Sequence, residues 1–306
     1  MKGAIITGAS GFIGKSVCLN LISKGIPVLA IDIIQNSDEL FDNKLITYLK
    51  LDINDIGELS SKILFGCYDT FYHFAWIGSS GHLRADPNIQ MKNIKWTIDC
   101  VYAAKKCGCT RFVGAGSIME DEAKEYIELD ECHPSSGYIY STSKLTSHYM
   151  SKIVSVEENI DHVWGKISNT YGPGETSPRL INTTIRKLLN NEPLNFTSGD
   201  QLYDFIYIDD LAESFYMIGN EGKSFTCYYL GTRNIKPLRL YLEKIRDIVK
   251  PDIKMNFGAL DFEGISLKSE HMDVTNLLAD TSYKEHVTFE DGIKRTYNWI
   301  KESGWI

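Results

Sequence analysis

Residues 4–32 constrain the architecture of this 306-residue chain more than any other stretch. Ala4-Ile5-Ile6-Thr7 is a short apolar run that reads as a β-strand. It enters Gly8-Ala9-Ser10-Gly11-Phe12-Ile13-Gly14 directly. Beyond that loop Ile13, Val17, Cys18, Leu21 and Ile22 keep helical spacing on one side. Gly25 ends the helix and Pro27 follows it. Val28-Leu29-Ala30-Ile31 is a second buried strand, closing at Asp32. Strand, helix and strand within about 30 residues make a βαβ unit.

The loop between the first strand and the helix has a chemistry of its own. Gly8 permits a tight turn, Gly11 lets backbone approach a pyrophosphate, and Gly14 lets the helix pack close to the strand. The helix N-terminus then offers free N–H groups and the positive end of its dipole to phosphates. The spacing is G-x-x-G-x-x-G rather than the usual G-x-G-x-x-G. Its context compensates: a strand before, a helix after, and Asp32 eighteen residues beyond Gly14. A carboxylate there accepts hydrogen bonds from ribose hydroxyls and repels a 2′-phosphate, and no arginine follows closely. NAD(H) is therefore expected in preference to NADP(H). Asp52, with Ile53 beside it at the next strand end, is expected either to accept from the adenine amine or to cap the following turn.

The rhythm continues through the first half of the chain. Strands are expected at 46–51, 71–75, 111–115 and 163–168, with helices between them, for example over 94–105. Such alternation indicates an α/β fold with a parallel sheet covered on both faces. After Asn169 it breaks. Gly172, Pro173, Gly174 and Pro178 mark a loop, and 180–189 reads as a helix. Residues 204–208 read as a strand returning to the sheet, with Asp209 capping a helix through Met217. Thr288 is expected to cap the last helix, ending near Lys301. The resulting division places a nucleotide-binding domain at 1–168 and 204–227, and a smaller α/β substrate-binding domain at 169–203 and 228–306.

The chemistry-bearing stretch is Tyr140-Ser141-Thr142-Ser143-Lys144. On a helix Tyr140 and Lys144 share a face, one turn apart. A free phenol has a pKa near 10. A nearby ammonium and the positive ring of an oxidised nicotinamide would favour its phenolate. Such a tyrosine can exchange a proton with a sugar hydroxyl while hydride moves at the same carbon. Tyr-x-x-x-Lys alone is equally an exposed helix face. The order glycine loop, Ser117, Tyr140 and Lys144 is what points to catalysis.

Together these residues resemble the extended short-chain dehydrogenase/reductase family, in its nucleotide-sugar epimerase/dehydratase branch. Thr7 to Gly14, Ser117, Tyr140 with Lys144, Asn169-Thr170-Tyr171-Gly172-Pro173 and Asp204 to Ala212 match in order, over nearly the whole chain. The resemblance implies a Rossmann-type doubly wound sheet, NAD or NADP in the first domain and a nucleotide-diphosphate sugar in the second. It makes Tyr140 the general acid/base, Lys144 its tuner and a ligand of the nicotinamide ribose, and Ser117 a hydrogen-bond partner of the reacting sugar oxygen. Phe74 and Ala75 match the segment beside the cofactor, Asn93 helps to hold the site, and Asn169 contacts the sugar nucleotide. His73 is read as a packed core residue.

Three departures modify the expectation. Ser117-Ile118-Met119 lacks the Asp-Glu pair of the dehydratases, and Glu120, Asp121 and Glu122 read as a solvated acidic turn. Tyr203 stands where the family carries a phosphate-binding arginine, which leaves Arg179, Arg186 or Lys187 to hold the diphosphate. Trp76 replaces a small residue and reshapes the sugar pocket. A 4-keto-sugar reductase of deoxysugar or surface-polysaccharide synthesis is expected first, and Asn256-Phe257-Gly258-Ala259 resembles such reductases of dideoxysugar pathways. A 4-epimerase with bound NAD is the close alternative, and a non-catalytic nucleotide sensor the remote one.

Composition narrows the partners. A net charge of −8 offers no basic field for a nucleic-acid backbone. No apolar run approaches the ~20 residues of a membrane span, and residues 1–14 lack the pattern of a secretory leader. Seven cysteines form no disulfide framework, and Cys107-Gly108-Cys109 reads as a helix end rather than a metal site. A reduced cytoplasmic setting is expected, with no metal. The resemblance implies a homodimer joined through a four-helix bundle that includes the Tyr140 helix.

Overall fold

The computed structural model describes residues 1–34, 43–128 and 135–304. Cys132 lies outside them. The chain opens with β1 (Ala4–Thr7), α1 (Phe12–Ser23), β2 (Val28–Asp32), β3 (Ile46–Lys50), α2 (Leu59–Lys62) and β4 (Thr70–His73). There follow α3 (Pro87–Lys106), β5 (Arg111–Ser117), α4 (Met119–Glu128), α5 (Tyr138–Glu157) and β6 (Asp161–Ile167). The second half holds β7 (Asn169–Tyr171), α6 (Leu180–Leu189), β8 (Leu202–Tyr203), β9 (Phe205–Tyr207), α7 (Ile208–Asn220), β10 (Thr226–Leu230), β11 (Lys236–Pro237), α8 (Leu238–Val249), α9 (Thr275–Asp280) and α10 (Phe289–Glu302).

Seven parallel strands form one sheet in the order β10-β6-β5-β4-β1-β2-β3. The chain winds outward in both directions from the β1–β4 seam, so a crevice opens there at the carboxyl ends of the strands. The strands are apolar on both sides because helices cover both faces. Ile6, Tyr72, Val113 and Val163 pack with the α1 and α7 layer. Ile5, Phe71, Phe112 and Trp164 pack with the α3 layer.

Local signals end the elements where side-chain chemistry dictates. Asp86 caps α3 by accepting from Asn88 and Ile89 N–H, with Pro87 at the first helical position, so the helix begins earlier than the 94–105 reading. Gly108, at φ +83°, turns the chain out of α3. Thr288 caps α10 as expected, accepting from Asp291 N–H.

Three expectations are corrected. Residues 205–207 do not return to the large sheet; they pair in parallel with 169–171 as a separate two-stranded unit. The edge beyond β6 is taken by β10, whose last residue is Leu230. Asp209 is not a cap: Tyr207 holds that position, and Asp209 lies in the first turn of α7. The neighbouring Asp210 accepts from the His286 and Val287 N–H groups and ties α7 to the chain before α10. Finally, Glu120-Asp121-Glu122 is no solvated turn. It opens α4, with Glu120 and Asp121 buried at 1% and 3% exposure.

Candidate active site

The glycine loop is shaped by what cannot fit there. Gly8 has φ +70°, and a Cβ on it would stand 2.6 Å from the Ala75 nitrogen. A Cβ on Gly14 would stand 2.1 Å from the Gly8 carbonyl oxygen. Both clashes are with backbone, so only glycine permits β1, α1 and the segment after β4 to meet this closely. Gly11 occupies the N-cap of α1, brings no side chain to the helix N–H groups, and no acid follows in the first turn. These donors are left for an anion.

Asp32 closes β2 beside that loop. One carboxylate oxygen accepts from the Ser10 N–H at 2.9 Å and the other from the Ile33 N–H at 2.8 Å. Each oxygen keeps a further lone pair, enough for two ribose hydroxyls. Asp52 accepts from the Asn54 backbone N–H at 2.9 Å and from its side chain at 2.8 Å, so it does cap the turn that follows. The Asn54 amide oxygen in turn accepts from the Trp96 indole N–H. Gly8, Gly11, Asp32, Asp52, Ile53, Phe74, Ala75 and Trp76 line one cavity of about 400 Å³, together with Asn54 and Trp96. A glycine cradle, uncapped helix donors and a ribose-ready carboxylate fit a dinucleotide.

A second cavity, of about 390 Å³, joins the first through Gly8, Gly11, Phe74 and Trp76. Phe12, Ile13, Gly14, Ser117, Tyr140, Lys144 and Arg179 line it. The predicted catalytic trio therefore converges on one wall of the crevice, brought by β5 and α5. Tyr140 and Lys144 are each 6% exposed. Burial pushes the Tyr140 phenol above its usual range. The Arg84 and Arg179 guanidinium groups and a Ser117 hydrogen bond pull the other way, and Glu120 adds to the rise. Burial lowers the Lys144 ammonium to about 7, partly opposed by the Glu120 charge.

The expected Lys144–Tyr140 partnership takes a different form. Lys144 Nζ donates to the Ala115 carbonyl at 2.8 Å and lies 3.6 Å from the Trp76 ring centroid. Trp76 meets Tyr140 edge-on at 6.0 Å. The indole thus contacts both members of the pair and lines both cavities.

Asn93, Asn169 and Tyr203 are placed differently from the other site residues and line neither cavity. Asn93 spends its amide on Ile77, accepting from its N–H at 3.0 Å and donating to its carbonyl at 2.8 Å. It reaches the crevice only through the segment it holds. Asn169 donates to the Asp204 carbonyl. Tyr203 stacks on Phe205. Arg179, exposed at the rim, pairs with the buried Glu175. His73 is buried, sits between Thr7 and Thr97 hydroxyls, and is lowered by burial to about 3, so it stays neutral.

Sequence reasoning missed three residues here. Gln90, fully buried on α3, accepts from the Trp76 indole and donates to the Ile77, Gly78 and Leu83 carbonyls. Arg84, carried by the segment that Gln90 holds, lies over the Tyr140 ring at 4.3 Å. Glu120 accepts from the Ser117 backbone N–H at 2.9 Å, the Trp164 indole at 3.0 Å and His148 Nδ1 at 3.0 Å. One signal was present for the last. Gly114 and Gly116 inside a strand mark a close approach, and a Cβ at either would meet the Trp164 side chain at 2.1 Å.

The dTDP-4-dehydro-6-deoxyglucose reductase of Escherichia coli is 24% identical over 324 residues, covering 98% of each chain. The UDP-N-acetylglucosamine 4-epimerase structure from Methanobrevibacter ruminantium M1 matches with a TM-score of 0.81 at 23% identity, covering 99% of each chain. The dTDP-glucose 4,6-dehydratase structure from Streptomyces venezuelae matches with a TM-score of 0.81 at 20% identity, covering 99% of this chain and 98% of that one. One fold thus carries three reaction names. A profile of the NAD dependent epimerase/dehydratase family matches residues 4–231, and its cofactor is the one expected from Asp32. Because that match runs from the first strand of the sheet to the last, the chain belongs to the NAD dependent epimerase/dehydratase family and has the extended short-chain dehydrogenase/reductase fold.

Proposed function

We propose that this chain is an NAD-dependent oxidoreductase acting at C4 of a nucleotide-diphosphate sugar, working as a 4-keto-sugar reductase. The observation that carries this reading is the convergence of Ser117, Tyr140 and Lys144 with the glycine loop on one cavity of the dinucleotide crevice. NADH, when bound, would supply the hydride for C4 and be left as NAD⁺. Tyr140 gives its proton to the C4 oxygen as the ketone is reduced, and Ser117 orients that oxygen. The protonated phenol is the form a reductase needs, and the burial of Tyr140 favours that form. Lys144 would hold the nicotinamide ribose, and Arg179 the diphosphate, in place of the arginine that Tyr203 replaces. Asn169 would contact the sugar nucleotide, with Trp76 bounding the sugar pocket.

A reductase is favoured over a dehydratase because neither Glu120 nor Glu122 lines the crevice. The E. coli relative's name supports the direction and the substrate chemistry. A 4-epimerase is the second reading, supported by Asp32 as a site for retained NAD and by the M. ruminantium fold match. The proposed division into a nucleotide domain (1–168, 204–227) and a sugar domain (169–203, 228–306) places the substrate over the β5–α5 wall. The proposed homodimer would pair α3 and α5 with their copies, since Met91, Tyr102, Tyr149, Met150, Ile153 and Val156 expose apolar surface there. Among the described residues no helix is long and apolar enough to cross a membrane.

The test is redox stoichiometry on a panel of nucleotide sugars and their 4-keto forms. Net NADH consumption with a 4-keto sugar is expected, and Tyr140→Phe should cut turnover by about 10²–10⁴ while NAD binding persists. C4 isomerisation without net consumption would select the epimerase. Undiminished turnover in Tyr140→Phe would remove the assignment.

A further inference from the structure

We propose that Trp76 sets the outcome at C4: its indole is a fixed wall beside Tyr140 that keeps a 4-keto sugar from turning over in the crevice, so that reduction yields a single C4 configuration. Trp76 is then a specificity-determining residue, on the reading that the chain acts at C4.

Reduction and epimerisation differ in the room they need. Reduction moves hydride from the reduced cofactor to C4 and the Tyr140 proton to the C4 oxygen, leaving the alcohol and the oxidised cofactor. The ketone needs one orientation only. Epimerisation takes hydride from C4 and returns it to the opposite face, so the keto sugar must turn over between the two transfers. Free space around the phenol therefore decides between them.

Much of that space is taken by one segment. Trp76 lines the cavity of about 390 Å³ that also holds Ser117, Tyr140 and Lys144. Its ring meets the Tyr140 ring edge-on at 6.0 Å. Arg84, from the same segment, covers the face of the Tyr140 ring at 4.3 Å. The indole is also locked in place. Its N–H donates to Gln90 Oε1 at 3.1 Å, and that oxygen accepts from the Asn93 amide as well. Gln90 is fully buried, and its own amide donates to the Gly78 and Leu83 carbonyls. Swinging the indole aside would strip a buried oxygen of one of its partners. Lys144 Nζ, 3.6 Å from the ring centroid, holds the other side by a cation–π contact. Such a wall does not yield to a turning sugar.

Two measurements test this, and the first needs no turnover. dTDP and dTDP-glucose are titrated into the full chain saturated with NAD, and the tryptophan fluorescence change is compared with that of Trp76→Phe. The sugar should add a change beyond that of dTDP, and Trp76→Phe should lose it. No added change, or one that survives in Trp76→Phe, places the sugar away from the indole and overturns the inference. The second measurement reads product configuration by NMR after reduction of dTDP-4-dehydro-6-deoxyglucose with NADH. Trp76 is half-buried, so Trp76→Ala should keep the fold and NAD binding. The share of the minor C4 epimer should rise about tenfold or more in Trp76→Ala, and less in Trp76→Phe, which keeps an aromatic wall. A share unchanged in Trp76→Ala, or a parent chain that itself yields both epimers, overturns the inference. Failure of the C4 assignment would appear instead as a parent chain that consumes no NADH with any 4-keto sugar, while the fluorescence difference still reports on the wall.

Discussion

The crevice has two walls, and they are held in opposite ways. The wall under the pyrophosphate position is backbone against backbone. Gly8 touches the main chain at residues 74–75, and Gly14 touches Gly8, with no room for a methyl group at either contact. The wall over Tyr140 is side chain against backbone. Gln90 and Asn93 reach from α3 to hold residues 76–83, and the 76–84 segment brings Trp76 and Arg84 against the Tyr140 ring. A wall made of steric limits tolerates no added atom, whereas a wall made of hydrogen bonds tolerates a change of shape but no loss of partners.

The largest effect should come from adding one carbon to the first wall. Gly14→Ala puts a Cβ 2.1 Å from a main-chain oxygen, so either α1 or the loop must move. Overpacking of this kind costs about 3 kcal/mol. A urea titration should show that loss, and calorimetry should show lost NAD affinity. An unchanged midpoint would mean that the two backbones are not locked together.

The second wall should fail by a different route. Gln90→Leu keeps the volume but leaves the Trp76 indole N–H and the Gly78 and Leu83 carbonyls without their partner. A buried group stripped of its partner costs about 1–3 kcal/mol. The mobility of residues 76–85 should rise as well, readable as faster amide exchange confined to that segment. Exchange that rises equally in the glycine loop would erase the distinction between the walls.

The same contrast explains what could be read in advance. Steric demands are written in residue type and spacing, so Gly8, Gly14, Asp32 and the βαβ unit were legible, and with them the parallel sheet and the NAD choice. Tyr140 and Lys144 were legible because one helix turn joins them. Arg84 and Glu120 meet partners that are distant in the chain, and Gln90 acts through the fold of an irregular segment that no periodicity marks. Glu120 meets Trp164 forty-four residues away, and nothing local distinguishes it from an exposed acid in a run of three. Residues 205–207 were misplaced for a related reason. Their apolar run specifies a strand, but the partner strand is fixed by the edge that β10 already occupies.

Glu120 offers the finest test, because it supports the Tyr140 wall from behind. Its Oε1 accepts from the Ser117 N–H and the Trp164 indole, and Oε2 pairs with His148; Glu120, Trp164 and His148 are all buried. Glu120→Gln retains a carbonyl for the first two bonds and weakens the third, so stability should fall by only about 1 kcal/mol. The charge has a separate role. Glu120 raises the proton affinity of Lys144 against the depression to about 7, and it also raises that of Tyr140. Removing it should move both groups to lower pH. The Lys144 ammonium would then be lost below about pH 7 rather than near it, and the phenol would ionise earlier. In a pH profile of kcat/KM the limb at higher pH should shift downward, with the fold intact by circular dichroism. A purely structural Glu120 would lower activity evenly across the profile. A displaced limb would show that the second wall sets charge as well as shape.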